Sequence, residues 1–194
     1  MENPMEQLCR WLEDAKGLPE EEGARMVLST VGENGRPSSR VVLVKNYDSS
    51  GLVFYTNLRS RKARELDLQP YVSLCFHWSS LNRQIRVEGR VELVSDAEAD
   101  AYFASRPRMS QIGAWASKQS SPASELELEK RVAYFTAKFG SGPVPRPPFW
   151  GGFRVVPDYL EFWEVRKFRL HFRECFRLTG EGWEKQWTKQ RLFP

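Results

Sequence analysis

The sequence is poor in the residues from which metal centres and disulfide-bonded folds are built. Its 194 residues include two histidines and three cysteines. Two histidines exclude a three-histidine zinc site. Cys9, Cys75 and Cys175 show no CxxC pattern and no Cys/His ligand spacing, so we expect free thiols in a reducing cytoplasm, and no metal.

The sequence also lacks long apolar segments and long runs of basic residues. No apolar stretch approaches membrane-spanning length, and the first residues lack the basic start and apolar run of a secretion signal. The net charge is a mild +4 without a long Lys/Arg run, which disfavours nucleic acid as a partner. The HExxH, GxSxG and Walker patterns are missing, which argues against the enzyme classes that depend on them.

What the chain does contain is apolar and aromatic residues in globular proportions. Hydrophobic residues make up 41% and charged residues 28% of the chain, the balance of a soluble protein. A length of 194 residues suits one domain over 1–194. Aromatic residues reach 13%, with seven Trp, which favours a β-rich core, an interface or a flat ligand.

The hydrophobic periodicity predicts a mainly β protein with peripheral helices, an α+β fold. A short amphipathic helix is expected over 4–17, a helical insertion over about 95–140 and C-terminal strands over 150–194. Further strands are predicted at 25–31, 37–47, 52–56, 71–78 and 84–94, the first three forming a meander. So many antiparallel strands favour a closed barrel, because closure removes exposed sheet edges.

Some local features of these elements can also be predicted. Gly89 interrupts the alternation of its strand, which suggests a bulge or a close backbone approach. The strand that starts near residue 150 should break at Pro157. Ser121 or Ser124 should cap the last helix of the insertion.

Two cationic stretches suggest where a ligand binds. In residues 168–173, an extended strand would place Arg169, His171 and Arg173 on one face. Two guanidinium groups with an imidazole between them suit an anionic, planar molecule. A sheet edge with its arginines in water explains the same stretch, and the stretch alone does not decide between the two.

The second cationic stretch begins a helix that Ser60 is expected to cap. Arg61 and Lys62 lie in its first turn, where cations oppose the helix dipole. A phosphate at this N-terminus would satisfy the free N–H groups and both cations together. Solvated surface charge is the alternative, but the unfavourable electrostatics without an anion favour a phosphate site.

A set of short motifs is spread in order over nearly the whole chain. They are RVVLVK at 40–45, FYTN at 54–57, SRK at 60–62, NRQ at 82–84, SRP at 105–107, SQIGA at 110–114, SKQSS at 117–121, FWGG at 149–152, EFW at 161–163 and RLH at 169–171. Together, at this spacing, they resemble the pyridoxine/pyridoxamine 5′-phosphate oxidase family, FMN enzymes that make pyridoxal 5′-phosphate.

The resemblance implies an antiparallel, FMN-binding split β-barrel that forms a homodimer with FMN at the interface. The positions that match the family's FMN contacts are Arg40, Val41, Val42, Leu43, Val44, Lys45, Tyr55, Thr56, Arg61, Lys62, Gln84, Gln119, Ser120, Trp163 and Arg173. The positions that match the site for the substrate, a phosphorylated B6 vitamer, are Lys45, Tyr102, Arg106, Ser110, Arg169, Leu170 and His171. Trp163 and Tyr102 would also suit plain packing in a core.

The resemblance also implies a reaction. Pyridoxine 5′-phosphate, pyridoxamine 5′-phosphate or both would be oxidised by hydride transfer from the substrate C4′ to flavin N5, and O2 would be reduced to H2O2. Arg169 and His171 match the catalytic pair, which would orient the ring and stabilise developing charge; proton transfer is a further role open to the histidine. The alternatives are a low-turnover FMN or pyridoxal-phosphate binding protein, and a related FMN oxidase with a different aromatic substrate.

Two residues depart from the family's C-terminal motif. Val165 stands where the family has glycine, and Phe172 where it has aspartate. Valine tolerates a positive φ badly, and without the aspartate the stretch from Arg169 to Arg173 is more cationic. Strand alternation should point Phe172 away from the ligand face. This altered stretch is the reason for the binding-protein alternative.

Overall fold

The structure, a computed structural model, describes residues 3–180, 182 and 185–194. Within them, five α-helices surround one antiparallel sheet of nine strands, which confirms the predicted fold class. The helices are α1 (Pro4–Ala15), α2 (Arg61–Leu68), α3 (Asp96–Ser105), α4 (Arg108–Ala116) and α5 (Glu127–Phe139). The strands are β1 (Arg25–Val31), β2 (Pro37–Leu43), β3 (Asn46–Asp48), β4 (Gly51–Asn57), β5 (Tyr71–Trp78), β6 (Arg83–Leu93), β7 (Trp150–Glu164), β8 (Phe172–Thr179) and β9 (Gln186–Arg191). None of the described helices is both long enough and apolar enough to cross a membrane.

The sheet curls until its two ends meet. Its strand order is β2-β1-β5-β6-β7-β4-β3, with β8 and β9 added beside the second half of β7. Only Val44 and Lys45 separate β2 from β3, and their N–H groups donate to the carbonyl oxygens of Ala24 and Val53, both at 2.9 Å. The predicted meander is therefore wrong. Residues 37–47 form two strands at opposite ends of the sheet, because the chain crosses the seam of the barrel at Val44, which is buried.

Strand β7 continues through Pro157 without the predicted break. Its pairing with β6 shifts register between Glu88 and Gly89, and Gly89 is the residue opposite Pro157. A proline has no N–H to donate, and a bulge is a position that tolerates this loss. A Cβ atom at Gly89 would lie 2.1 Å from the carbonyl oxygen of Val156. The bulge and the close backbone approach predicted at Gly89 are confirmed.

The core fills the inside of the curled sheet and is closed by α1. Leu28, Leu74, Phe76 and Phe162 are fully buried on the inner faces of their strands. Burying one such side chain contributes about 1.5–3 kcal/mol. From α1, which ends at Ala15 and so before the predicted Gly17, the ring of Trp11 packs edge-on against Phe162 at 5.1 Å.

A second, smaller apolar cluster holds α3, α4 and α5 against the start of β7. It contains the buried side chains of Phe103, Ile112, Phe135 and Trp150. The start of α5 differs from the prediction. No side chain of Ser121 or Ser124 caps it; the helix begins after Leu126, which has a φ of 62°. In the first turn, Glu127 accepts from the N–H of Ser124 at 3.4 Å and pairs with Lys118 at 3.1 Å.

Candidate functional site

A cavity of about 650 Å³ opens between the barrel seam and helices α3 and α4. We call it the main cavity. Its lining residues come from β2, the β2–β3 connection, β4, α2, the segment from α3 through α4 into the connection after α4, and the start of β7. They are Arg40, Val41, Val42, Leu43, Lys45, Tyr55, Thr56, Asn57, Lys62, Tyr102, Arg106, Ser110, Gly113, Ala114, Ser117, Gln119 and Trp150.

Lys62 is a buried cation on one side of the main cavity. Ser60 caps α2 as predicted, by accepting from the N–H of Ala63, and this places Lys62 in the first turn. The residue is 7% exposed and its Nζ donates to Thr56 Oγ1 at 3.1 Å. No carboxylate among the described residues forms an ion pair with it. Burial, together with the charge of Arg40, lowers the pKa of Lys62 to about 8. A buried ammonium without an anionic partner is costly, so the site suits an incoming anion.

Arg106 is a second cation in the main cavity. It follows α3, and its guanidinium stacks on the rings of Trp150 at 4.8 Å and Phe103 at 5.5 Å. Its Nη1 is buried and finds no hydrogen-bond partner among the described residues. Burial lowers the pKa of Arg106. Since buried N–H donors are almost always satisfied, this orphaned donor indicates a missing acceptor.

A flat aromatic wall lies beside Arg106. The rings of Tyr55 and Tyr102 stack at 4.0 Å and 12°, and the ring of Trp150 is parallel to Tyr55 at 5.4 Å. Burial, followed by the nearby carboxylate of Glu98, raises the pKa of Tyr55 to about 12. Tyr55 therefore stays neutral at ordinary pH. Tyr102 packs in this wall, as one interpretation of the sequence expected, and also lines the cavity, while its contact with the substrate stays a prediction.

A buried carboxylate, Glu65, organises the cations behind Lys62. One of its oxygens accepts from Ser38 at 2.8 Å and from Arg40 at 3.2 Å, and the other accepts from Arg61 at 2.8 Å. Burial would raise the pKa of Glu65, but hydrogen bonds from Thr30, Ser38 and Arg61 outweigh it and lower the pKa to about 2. Glu65 is therefore ionised at every working pH.

Other residues predicted from the sequence lie near the seam. Lys45 lines the main cavity and pairs with Glu21 at 3.1 Å. Gln119 lines it too, where its Oε1 accepts from Thr56 Oγ1 at 3.2 Å. Val44 is a core residue outside the lining. Arg61 also lies outside, because its side chain is 59% exposed and turns toward Glu65.

The remaining predicted residues lie on β6, β7, β8 and the segment between β7 and β8. We call Trp163, Arg169, Leu170, His171 and Arg173 the C-terminal group. Gln84 pairs with Trp163 across β6 and β7, and Trp163 pairs with Arg173 across β7 and β8. The rings of Trp163 and His171 lie 4.7 Å apart. Gln84, Trp163 and Arg173 therefore form a continuous row across the three strands, but neither Gln84 nor any member of the C-terminal group lines the main cavity.

The predicted strand over 168–171 is wrong. Residues 167–169 form a single 3-10 turn, in which Phe168 and Arg169 adopt φ angles of 58° and 60°. Strand β8 begins only at Phe172, so Arg169 and His171 do not share a strand face with Arg173. The left-handed residues are Phe168 and Arg169, not Val165, where the sequence raised the concern. Phe172 and Arg173 are neighbours in β8 and therefore point to opposite faces.

Arg173 is held rigidly. Its Nε donates to Glu161 Oε1 at 3.0 Å, and its Nη1 donates to the carbonyl oxygen of Phe193 at 3.0 Å. Glu161 is 2% exposed and also pairs with Arg86 at 3.2 Å. A buried carboxylate shared by two arginines fixes both guanidinium groups, because each is paired and hydrogen-bonded.

Sequence reasoning missed several residues of the site. Asn57, Gly113, Ala114, Ser117 and Trp150 line the main cavity; Asn57 stands directly beside the predicted Thr56, and Gly113 and Ala114 lie in the SQIGA motif of the predicted Ser110. The motifs FWGG and SKQSS contain the other two. Glu65 lies outside every motif, and its four-residue spacing from Arg61 was the only signal for it. Ser120, which was predicted, lies in the exposed α4–α5 connection with a φ of 70° and does not line the cavity.

Known families match most of the chain. Residues 18–137 match the family model described as Pyridoxamine 5′-phosphate oxidase. Residues 150–194 match the model described as Pyridoxine 5′-phosphate oxidase C-terminal dimerisation region. Curated relatives named pyridoxine/pyridoxamine 5′-phosphate oxidase are similar over nearly their full length. The protein from Myxococcus xanthus (strain DK1622) is 54% identical over 185 residues, 95% of this chain and 90% of the relative. That from Rhodospirillum rubrum is 52% identical over 198 residues, with 99% and 96% covered.

Solved structures share the fold. PhzG from Burkholderia lata 383, in complex with tetrahydrophenazine-1-carboxylic acid, is similar with a TM-score of 0.91 and 30% identity, covering 99% of this chain and 93% of that one. A pyridoxamine 5′-phosphate oxidase-related, FMN binding protein from Nostoc punctiforme has a TM-score of 0.77 at 18% identity, with 100% and 98% covered. The predicted split-barrel fold is confirmed.

Proposed function

Because the chain belongs to the pyridoxine/pyridoxamine 5′-phosphate oxidase family of oxidoreductases, we propose that it binds FMN and oxidises pyridoxine 5′-phosphate, pyridoxamine 5′-phosphate or both to pyridoxal 5′-phosphate. The cofactor would accept a hydride from substrate C4′ at its N5 atom, and O2 would take up the electrons to give H2O2. The free thiols of the three cysteines suit the cytoplasm as its location.

One observation carries this proposal: two cations that have no anionic partner among the described residues, Lys62 and Arg106, line one cavity beside a flat aromatic wall. Two phosphorylated, planar molecules would satisfy both. The FMN phosphate fits Lys62, where Arg40 and the N-terminus of α2 add further donors. The substrate phosphate fits Arg106, with Ser110 and Lys45 in the same lining.

The C-terminal group would complete the site from a second subunit. In one chain, Trp163, Arg173 and His171 lie together but outside the main cavity. A two-fold dimer would let each subunit place its C-terminal group, and the adjacent Gln84, over its partner's cavity. The match of residues 150–194 to a dimerisation region supports a homodimer.

Within that arrangement, Arg169 and His171 would be the catalytic pair. His171 Nδ1 accepts the N–H of Arg166 at 3.2 Å, so a neutral imidazole carries its hydrogen on Nε2. The Nε2–H group is then a donor available for the substrate ring. Arg169 would add a fixed positive charge next to it. Both groups would orient the ring and stabilise developing charge.

Replacing Arg106 by glutamine tests the proposed substrate phosphate site. We expect kcat/KM for pyridoxine 5′-phosphate to fall about 10- to 100-fold, because charge-assisted hydrogen bonds of about 1.5–3 kcal/mol are lost. Steady-state assays of peroxide and pyridoxal 5′-phosphate formation in the FMN-loaded protein measure this. Arg90→Gln, an exposed arginine outside the cavity, is the matched control and should leave kcat/KM unchanged. An equal loss toward unphosphorylated pyridoxine would contradict a phosphate role for Arg106.

A second candidate is the oxidation of a ring that carries a carboxylate instead of a phosphate. The similarity to PhzG, solved with tetrahydrophenazine-1-carboxylic acid, favours it, because Arg106 would also pair with a carboxylate. The same assay with cyclic carboxylic acids separates the two candidates. Turnover of such acids without turnover of either phosphorylated vitamer would establish the second candidate and exclude the first.

A further inference from the structure

We propose that Glu65 is a positioning residue of the cofactor site. Its carboxylate holds Arg40 and Arg61 in place for the phosphate group of a flavin, and its negative charge adjusts the net charge of the surrounding cations to match that of the phosphate. The inference rests on the proposed binding of FMN. Glu65 itself lies outside the lining of the main cavity. It would therefore act through the side chains that it binds.

The hydrogen-bond donors that converge on Glu65 come from several elements of the fold. Its side chain is 8% exposed and accepts hydrogen bonds from Thr30 on β1, from Ser38 and Arg40 on β2 and from Arg61 on α2. One carboxylate therefore joins three separate elements at the seam. Such a fully bonded group fixes the rotamers of its partners, which is how a binding site is preorganised.

Several acceptors, including Glu65, orient the guanidinium of Arg40. Its Nη1 donates to the oxygens of Leu28 at 3.3 Å and Thr30 at 2.6 Å, and its Nη2 donates to Ser38 at 2.6 Å as well as to Glu65. The guanidinium is thus anchored at its far end while the residue lines the main cavity. Without the carboxylate, the strongest acceptor in this set is lost, because ionised acceptors bind about twice as strongly as neutral ones.

The charges at the N-terminal end of α2 balance the charge of a phosphate group. Arg40, Arg61 and Lys62 bring three positive charges to one end of α2, and Glu65 brings one negative charge. The remaining two charges match a phosphate monoester, which carries about −1.5 to −2 at neutral pH. Glu65 also favours the charged form of Lys62 and so raises its pKa, against the effects of burial and Arg40. The carboxylate therefore keeps Lys62 able to bind an anion.

The test compares FMN with riboflavin, which lacks the phosphate. Quenching of flavin fluorescence gives the dissociation constants for the flavin-free wild type, Glu65→Gln and the control Glu13→Gln. Glu13 is a hydrogen-bonded carboxylate on α1, outside the cavity. We expect Glu65→Gln to weaken FMN binding about 10- to 100-fold and to leave riboflavin binding within about twofold, while the control changes neither.

Other outcomes overturn the inference. Equal weakening of FMN and riboflavin would make Glu65 a purely structural residue, and unchanged or tighter FMN binding would mean that its charge only repels the phosphate. Ser38→Ala, which removes one donor to Glu65 without altering a charge, gives a second reading if Glu65→Gln does not fold. It should weaken FMN alone, by a smaller factor. A wild type that does not prefer FMN over riboflavin would instead refute the proposed function.

Discussion

Replacing Lys62 by methionine is expected to abolish tight FMN binding and, at the same time, to stabilise the flavin-free protein. The ammonium is buried and bonded to one hydroxyl, that of Thr56. A bound phosphate would be its strong partner, so its loss should weaken FMN binding by about 100-fold or more, corresponding to about 3 kcal/mol. Methionine fills a similar volume without a charge to desolvate, so flavin-free protein should gain about 1–3 kcal/mol in the free energy of unfolding.

The effect of pH on both quantities follows from the pKa of Lys62. Burial lowers it to about 8 from an ordinary value of 10.5, so folding favours the neutral amine. The loss in the free energy of unfolding caused by burying the ammonium is therefore greatest below pH 8, and it decreases as the pH rises toward 10.5. The stabilisation by Lys62→Met should fade over the same range. FMN affinity of the wild type should fall as the pH rises above 8, because the free protein then loses the proton that the complex needs.

Urea unfolding of the flavin-free protein and titration with FMN measure these effects. Both are carried out from about pH 6 to about pH 10, because this range lies on both sides of the lowered pKa of about 8. Lys130→Met, an exposed lysine on α5, is the control and should alter neither quantity. A Lys62→Met protein that binds FMN like the wild type would show that the phosphate lies elsewhere. A flavin-free Lys62→Met variant that is less stable than the wild type would contradict the view that the buried charge destabilises the fold and serves phosphate binding.

Two inactive variants should restore each other's activity when their subunits are mixed. Arg106→Ala removes a cavity residue, and His171→Ala removes a member of the C-terminal group. If each active site combines the cavity of one subunit with the C-terminal group of its partner, a mixed dimer has one site with both changes and one with neither. Random pairing at equal amounts makes about half of the dimers mixed, so roughly one quarter of wild-type activity should return.

Co-expression of the two variants with different affinity tags, followed by assay of the doubly purified dimer, measures this recovery directly. The doubly purified protein should reach about half of wild-type activity, since one of its two sites is intact. A pair from the same group, Arg106→Ala with Ser110→Ala, cannot complement and should stay inactive. Absence of recovery in the first pair would mean that one subunit supplies both groups.

The most informative local signal for the site was the charge of the first turn of α2. Cations in the first turn of α2 predicted an anion site, and Lys62 lies buried in the cavity with no ion-pair partner in the part of the chain that the structure describes. Arg61, the other cation of that turn, lies outside the cavity lining, since its side chain turns back to Glu65, so its contact with a phosphate stays a prediction. Hydrophobic alternation likewise located most strands, because each has one face in a core.

Features that depend on distant parts of the chain were not predictable from local patterns. The division of residues 37–47 arises where the chain crosses at Val44 from β2, at one end of the sheet, to β3, at the other, and several strands between these ends pair with partners far apart in sequence. The alternating pattern of 168–173 looked like a strand, yet Phe168 and Arg169 adopt left-handed φ angles in a turn. Such angles are rare for these residue types, so sequence alone gives no reason to expect them.

Anaerobic addition of pyridoxine 5′-phosphate to the FMN-loaded protein, followed by absorbance spectroscopy, tests the central claim most directly. The account predicts that the oxidised flavin spectrum bleaches on addition of substrate, and that admission of air restores it with release of hydrogen peroxide. Arg106→Gln should require a higher concentration of substrate for the same bleaching. A flavin spectrum that remains unchanged with both phosphorylated vitamers would contradict the proposed oxidase function, even if FMN binds tightly.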